Sequence, residues 1–412
     1  MRPPGSKSLT NRALVCAALA SGTSTLRGVL DSEDTRVMLD ALVALGIGVR
    51  VDHEARTAEI DGCGGKIPRS QADLYIANSG TTVRFLTALV ALGVGTYRLH
   101  GTKRMHERPI QDLLDSLAQL GVSATSEAGT GCPPVLIQGA GLPARKTSIR
   151  GDISSQFLSA VLLAAPCASA KDNAPFEIEI VGELVSLPYV EMTVAVMRSF
   201  GASVEVSDDW RRFRIATSGY QAVDYEIEPD ASAASYFWAA AAITGGRVRV
   251  EGLTRASLQG DVAFCDVLAR MGCRIVDDAG GMAIEGGPLV GVDVDMNAIS
   301  DTVQTLGAVA LFAEGPTNVR NVGHIRHKET DRIGALATEL RKFGATVEER
   351  PDGLKIIPGP LHAATIVTYD DHRMAMSLAL PGLRIPGVVV NDPQCTGKTY
   401  PNFWDDLEKL RG

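Results

Sequence analysis

Met197-Arg198-Ser199-Phe200-Gly201-Ala202-Ser203-Val204-Glu205-Val206 holds the end of a helix, a turn and the start of a strand. Met197 and Phe200 recur at helical spacing, Gly201 supplies the left-handed C′ position that closes a helix, and the residues after it alternate as a half-buried strand does. The phrase is not unique. It returns at Val43-Ala44-Leu45-Gly46, Leu117-Ala118-Gln119-Leu120-Gly121, Leu268-Ala269-Arg270-Met271-Gly272 and Leu340-Arg341-Lys342-Phe343-Gly344. The spacing is roughly 70 to 80 residues, and self-similarity at a fixed period decides architecture before any single motif does.

A second helix family interleaves with the first: 12–20, 84–92, 156–165, 235–243, 303–313 and 373–380. Most of these end at Gly or Pro and run into a strand such as Arg247-Val248-Arg249-Val250 or Val388-Val389-Val390. The period predicts an α/β fold of six units of about seventy residues, each a βαβαββ module with two helices laid on a small sheet. Six modules divide into two domains of three. The boundary falls near Tyr225-Glu226-Ile227-Glu228-Pro229-Asp230, which sets a first domain of 4–227 and a second of 228–412 joined by residues 1–3. The last unit runs out at Leu410 without closing strands, and the chain begins almost inside a helix. The sixth unit is therefore expected to be completed from the other end of the chain.

With 412 residues and 45% hydrophobic content the chain can bury a large core and should form more than one domain. A net charge of −8, with 48 acidic and 40 basic residues intermixed, provides no general hold on nucleic acid or an anionic membrane. Any anion site must be assembled locally. Seven cysteines without a CxxC pair predict reduced thiols and a cytoplasmic protein. The apolar run 14–20 after Arg2, Lys7 and Arg12 is too short and too well capped for a signal peptide, and no run reaches membrane-spanning length.

The helix starts carry the functional signal. Gly5-Ser6-Lys7-Ser8, Asn78-Ser79-Gly80-Thr81, Ser154-Ser155-Gln156, Asp230-Ala231-Ser232, Asp301-Thr302 and Asp370-Asp371-His372-Arg373 offer the small and hydroxyl residues that any helix N-cap wants. For Asp230 that reading suffices. Elsewhere cations stand within reach: Lys7, Arg12, Arg84 and Arg373. Similar modules in similar orientation put helix N-termini on one side, and two facing domains would collect them into an anion-binding cleft. Arg104, Arg108, Lys328, Arg332 and Lys398 add charge, with Ser186 and Tyr189 beside them. Together they exceed the needs of one phosphate and point to a ligand with two or three anionic groups. In His327-Lys328-Glu329-Thr330-Asp331-Arg332 an amphipathic helix is expected to open at once, placing Lys328 and Arg332 four apart on one face and Glu329 in the first turn.

Other chemistries lack their signatures. Gly397-Lys398-Thr399 resembles the end of a P-loop, but Asp392 stands where the first Gly belongs and Pro401 stops the following helix. No G-x-G-x-x-G follows a strand, so a dinucleotide cofactor has no support. His324 and His327 have no third ligand at zinc-like spacing, and no G-x-S-x-G elbow occurs.

Five stretches in order, Pro4-Gly5-Ser6-Lys7-Ser8-Leu9-Thr10-Asn11-Arg12, Asn78-Ser79-Gly80-Thr81-Thr82-Val83-Arg84, Ser154-Ser155-Gln156-Phe157, Lys328-Glu329-Thr330-Asp331-Arg332 and Asp371-His372-Arg373-Met374-Ala375-Met376, resemble the 5-enolpyruvylshikimate-3-phosphate synthase family. The resemblance covers essentially the whole chain. It implies a two-domain inside-out α/β barrel, or prism, of six βαβαββ units, three per domain. It also implies transfer of the enolpyruvyl group of phosphoenolpyruvate to the 5-hydroxyl of shikimate 3-phosphate with release of phosphate. No cofactor or metal is implied, and a monomer that closes its domains on its ligands is expected.

Carried over by motif, shikimate 3-phosphate would meet Lys7, Ser8, Arg12, Ser154, Ser155, Gln156, Ser186, Tyr189, Asp301, His324 and Lys328. Phosphoenolpyruvate would meet Lys7, Gly80, Arg108, Gln156, Arg332, Arg373 and Lys398. By the same resemblance Asp301 is the base for the hydroxyl proton, Glu329 the acid for the methylene carbon, and Lys7 assists the leaving phosphate. Three departures stand out. Only Met1-Arg2-Pro3 precede the first motif, where the family has a strand, so the sixth unit is incomplete or the native start lies upstream of Met1. His324 stands where many members have Asn. Phe85 follows Arg84 where many herbicide-sensitive members have Pro, which counts against glyphosate as an inhibitor although Gly80 leaves room for it.

Two rivals remain. The sister enolpyruvyl transferase acting on UDP-N-acetylglucosamine shares the fold, but it places a Cys in the loop corresponding to 101–111, where this chain has none. A non-catalytic, repeat-built anion-binding protein would keep the cations but has no need of Asp301 and Glu329 beside them.

Overall fold

The computed structural model describes residues 1–169, 174–278 and 280–411; Gly412, where the expected second domain ends, lies outside the described residues. The chain separates into two compact units, Gly5–Ile227 and Met1–Pro4 with Glu228–Gly412. Each has its own buried apolar core.

The first unit holds α1 (Lys7–Leu19), α2 (Glu33–Ala44), α3 (Gly80–Ala91), α4 (Gln111–Gln119), α5 (Ser155–Ala164) and α6 (Leu187–Ser199). The other holds α7 (Ala231–Thr244), α8 (Phe264–Arg270), α9 (Val303–Ala310), α10 (Arg332–Arg341), α11 (His372–Ala379) and α12 (Phe403–Glu408). The two families differ in burial. Odd-numbered helices are buried almost all round, as for α7, where every residue from Ala231 to Ile243 is out of solvent. Such a helix can sit only inside a core. Within each unit they pack on one another, α3 on α1 and α5, and α9 on α7 and α11. Most even-numbered helices are amphipathic and about half exposed, as in α4, where Leu113, Leu114 and Leu117 face inward, while α10 is more deeply buried.

The repeated glycines do what their spacing predicts. Gly46, Gly121, Gly201, Gly272 and Gly344 all have positive φ, between 81° and 113°, two or three residues past the ends of α2, α4, α6, α8 and α10. A side chain there would meet the Cβ penalty that glycine avoids.

Strands of the described residues form six sheets. In the first unit 20–27 pairs antiparallel with 57–63, and 94–100 with 135–140, while the third sheet orders 204–206, 212–215, 176–181 and 146–150. Strand 20–27 also takes 220–221 and 224–226 alongside in parallel, so the end of the third repeat closes the sheet of the first. The Met1 end behaves differently from expectation. Instead of completing the sixth repeat, Met1 lies beside strand Arg247–Glu251, its carbonyl accepting from the Glu251 N–H at 2.9 Å and its ammonium donating to the Arg249 carbonyl at 2.8 Å. The Asp230 N–H on the Pro4 carbonyl, at 2.9 Å, sets that course. The sixth sheet has two parallel strands, 365–366 and 389–390. No helix of the described residues is long and apolar enough to cross a membrane.

Candidate active site

In the Gly5–Ile227 unit the starts of α1, α3 and α5 come together. Ser6, Ser79 and Ser154 cap them, each hydroxyl accepting a backbone N–H of the first turn. Arg12, one turn into α1, is 2% exposed. Its guanidinium donates to Thr193 Oγ1 at 2.7 Å and to the Ser8 and Tyr189 carbonyls at 3.0 Å each. Phe85 and Tyr189 place rings beside it, 5.3 and 6.0 Å away. Those partners are all neutral, and burial pushes the Arg12 guanidinium down to about 10. A buried cation without a counter-charge among its hydrogen-bond partners favours an anion.

Arg84 donates to Gln156 Oε1 at 2.8 Å, to the Gly80 carbonyl at 3.2 Å and to the Pro109 carbonyl at 2.9 Å. Arg108, 4% exposed, donates to the Asn78 carbonyl at 2.9 Å. Lys7 lies 3.3 Å from the buried Asp34 carboxylate. Ser155 is buried in the first turn of α5. Ser186 is buried too, and it precedes α6 in a left-handed conformation with φ 54°.

In the other unit one ion network gathers the remaining candidates. Asp301 receives Lys328 and Arg332 on Oδ1 and Arg373 on Oδ2, the two arginines at 3.2 and 2.8 Å. Arg332, 1% exposed, spans three carboxylates: Glu329 at 2.8 Å, Asp371 at 2.7 and 3.2 Å, and Asp301. Lys398 reaches Glu329 Oε1 at 3.2 Å, and Arg373 donates to Tyr236 Oη at 3.4 Å. Four cations thus face three carboxylates directly, Asp301, Glu329 and Asp371. Burial pushes the Asp301 carboxyl up, but Arg373, Lys328 and Arg332 outweigh it and hold the group well below the usual carboxylate range. Burial, with Lys328 nearby, pushes half-buried His324 down to about 3, so its imidazole is neutral. Behind Asp301, buried Asp261 accepts from Ser232 Oγ; burial and the Asp301 charge push its carboxyl up to about 6.

Residues 1–407 match the EPSP synthase family, described as 3-phosphoshikimate 1-carboxyvinyltransferase. The chain belongs to the EPSP synthase family. A 3-phosphoshikimate 1-carboxyvinyltransferase of Nostoc punctiforme is 50% identical over 404 residues, covering 97% of this chain and 93% of the relative. The chloroplastic 3-phosphoshikimate 1-carboxyvinyltransferase of Arabidopsis thaliana is 47% identical, covering 99% of this chain and 81% of that one. In fold, an EPSP synthase structure from Acinetobacter baumannii superposes with a TM-score of 0.80 at 24% identity, covering 99% of this chain and 94% of that one.

For this member of the EPSP synthase family the structure corrects two local expectations. The helix after His327 does not begin there. Residues 323–327 make a 3-10 turn and α10 starts only at Arg332, because Asp331 caps it by accepting the Ile333 and Gly334 N–H groups, both at 3.1 Å. Lys328 and Glu329 therefore occupy a loop, free to bend toward Asp301 and back onto Arg332. Asp301 is no cap either: α9 begins without a side-chain cap, and the Asp301 carboxylate is spent on cations.

The positioning partners Asp34, Asn78, Thr193, Tyr236, Asp261 and Asp371 escape a reading by motif, and Arg84 appears there only as a nearby cation. Asp371 and Asn78 alone had a signal, each by its place at a helix start. The others lie far in sequence from the groups they hold. Among the described residues no cluster of His, Cys, Asp and Glu suits a metal ion.

Proposed function

We propose that this chain transfers the enolpyruvyl group of phosphoenolpyruvate to the 5-hydroxyl of shikimate 3-phosphate and releases inorganic phosphate. The observation that carries the reading is the network around Asp301 and Glu329. An anion-binding scaffold would have no use for two carboxylates held among four cations, whereas addition followed by elimination needs a base, an acid and fixed positive charge.

In the first step the 5-oxygen bonds to C2 of the enol while its proton passes to a base and C3 gains a proton. In the second, the C2–O bond to phosphate breaks and C3 gives its proton back. Asp301 is ionised and suits the base. As anionic substrates draw Lys328, Arg332 and Arg373 onto themselves, those cations hold the Asp301 charge less tightly and its proton affinity rises. Glu329 suits the group serving C3. Lys7 suits the leaving phosphate, and Arg12, with its neutral partners, an anionic group of shikimate 3-phosphate; Ser8, Ser154, Ser155, Gln156, Ser186, Tyr189, His324 and Lys328 suit the same substrate. Arg108, Arg332, Arg373 and Lys398, with Gly80 and Gln156, suit phosphoenolpyruvate. A monomeric cytoplasmic enzyme fits the reading, and all its cysteines are unpaired thiols. Gly80 leaves room for glyphosate at these cations, whereas Phe85 counts against it as an inhibitor.

The test is phosphate release from phosphoenolpyruvate with shikimate 3-phosphate or UDP-N-acetylglucosamine as acceptor. Release with the first alone is expected; release with the second alone, or with neither, overturns the reading.

A further inference from the structure

Tyr369 and Asp370 are consecutive non-glycine residues in the left-handed region, with φ of 56° and 53°. Side-chain-bearing residues stay there only when their surroundings hold them. The next residue, Asp371, caps α11, bonds Arg332 through its carboxylate, and accepts the Arg373 N–H at 2.9 Å. The strained turn therefore sets both the acceptor for Arg332 and the point from which Arg373 projects.

Glu339 holds this turn. Its side chain is wholly buried, yet it stands on α10 with its carboxylate reaching the 367–369 backbone and side chains. Oε1 accepts from Tyr369 Oη at 2.8 Å; Oε2 accepts from the Val367 N–H at 3.0 Å and from Lys342 Nζ at 2.7 Å. Burial and Glu339 push the Tyr369 hydroxyl up to about 12, so it remains a donor. Arg332 and Glu339 lie two turns apart on one face of the same helix, separated by about 10 Å of axial rise. One rigid element thus grips the turn at both ends, Arg332 on Asp371 and Glu339 on Val367 and Tyr369.

We infer that Glu339 and Tyr369 are positioning residues: their hydrogen bond holds the 367–371 turn so that Asp371 keeps Arg332 and Arg373 set for an anionic substrate. The inference rests on the proposed role of those two cations toward phosphoenolpyruvate.

Steady-state kinetics of Tyr369→Phe, Glu339→Gln and the double variant, with thermal unfolding alongside, test it. Tyr369→Phe removes a single hydroxyl and should fold. Each single variant is expected to raise KM for phosphoenolpyruvate at least fivefold, with KM for shikimate 3-phosphate changed less. The double variant should be no worse than the more affected single one, because the two residues act as one unit. A lowered Tm with KM for phosphoenolpyruvate within twofold in both single variants overturns the inference, as does a double variant whose effect is the product of the two. Unsubstituted protein in the same assay separates the two proposals: without turnover there, the proposed reaction fails; with turnover there and unmoved KM in the variants, only the positioning role fails.

Discussion

Arg332 and Asp371 form a two-point ion pair out of solvent, Nε to Oδ2 at 2.7 Å and Nη2 to Oδ1 at 3.2 Å, with side chains 1% and 0% exposed. Removing one partner of a buried pair leaves the other charge under-compensated, which costs about 3–5 kcal/mol. Glu329 and Asp301 still face Arg332, so the lower end applies. Asp371→Asn is expected to lose roughly 3 kcal/mol in urea unfolding and at least tenfold in kcat/KM. Stability and kinetics both unmoved would show that the pair does not hold the network.

Glu329 touches Arg332 and Lys398 rather than solvent, which suits a group that exchanges a proton with substrate carbon. Glu329→Gln keeps the shape and removes that capacity. Turnover is expected to fall by about 10²-fold or more, the usual scale for a general acid or base, while substrate affinities measured by titration move far less. Normal turnover would reject Glu329 as the acid.

A Cβ on Gly80 would come within 2.7 Å of Arg84 Nη1 and nearer still to the Arg108 guanidinium. Both arginines are buried and hydrogen-bonded, so neither can retreat freely. Gly80→Ala is expected to raise KM for phosphoenolpyruvate about tenfold, corresponding to about 1.4 kcal/mol, with the fold intact by circular dichroism. An unchanged KM would place phosphoenolpyruvate away from these two cations.

Asp261 supplies a pH signature. Burial first, then the charge of Asp301, raise its folded carboxyl from 3.8 to about 6, against the pull of Ser232 and Arg373; Asp230 adds to the rise. Between about pH 4 and 6 the native state then binds more protons than the unfolded chain, so this group makes stability fall as pH rises through that window and level off above it. Asp261→Asn, which stays neutral, should gain on the parent protein by on the order of 2 kcal/mol between pH 4.5 and 7. A stability difference independent of pH would show that Asp261 is ionised throughout.

Helix ends and repeat period are legible in the chain because they depend on local backbone chemistry. Gly201 and its four counterparts adopt positive φ wherever the phrase occurs, since a helix that stops before a strand needs a left-handed residue and glycine takes that conformation without a Cβ clash. The near-continuous apolar stretches of α7 and α9 likewise announce burial on all sides. Residue types at the helix starts, hydroxyls mixed with Lys7, Arg12, Arg84 and Arg373, already indicate an anionic ligand.

Pairing was decided elsewhere. Nothing near Lys328 in the chain says that it would leave the helix, because that depends on Asp331 winning the cap and on Asp301, 27 residues away, offering a carboxylate. Arg12 finds Thr193, and Arg84 finds Gln156, across separations of 181 and 72 residues. By itself the sequence determined where helices stop and which charges stand at their starts, both short-range matters of backbone conformation and capping. Only the tertiary structure decided which carboxylate faces which cation, because burial strengthens an ion pair and makes an unmatched charge costly, and burial belongs to the whole fold.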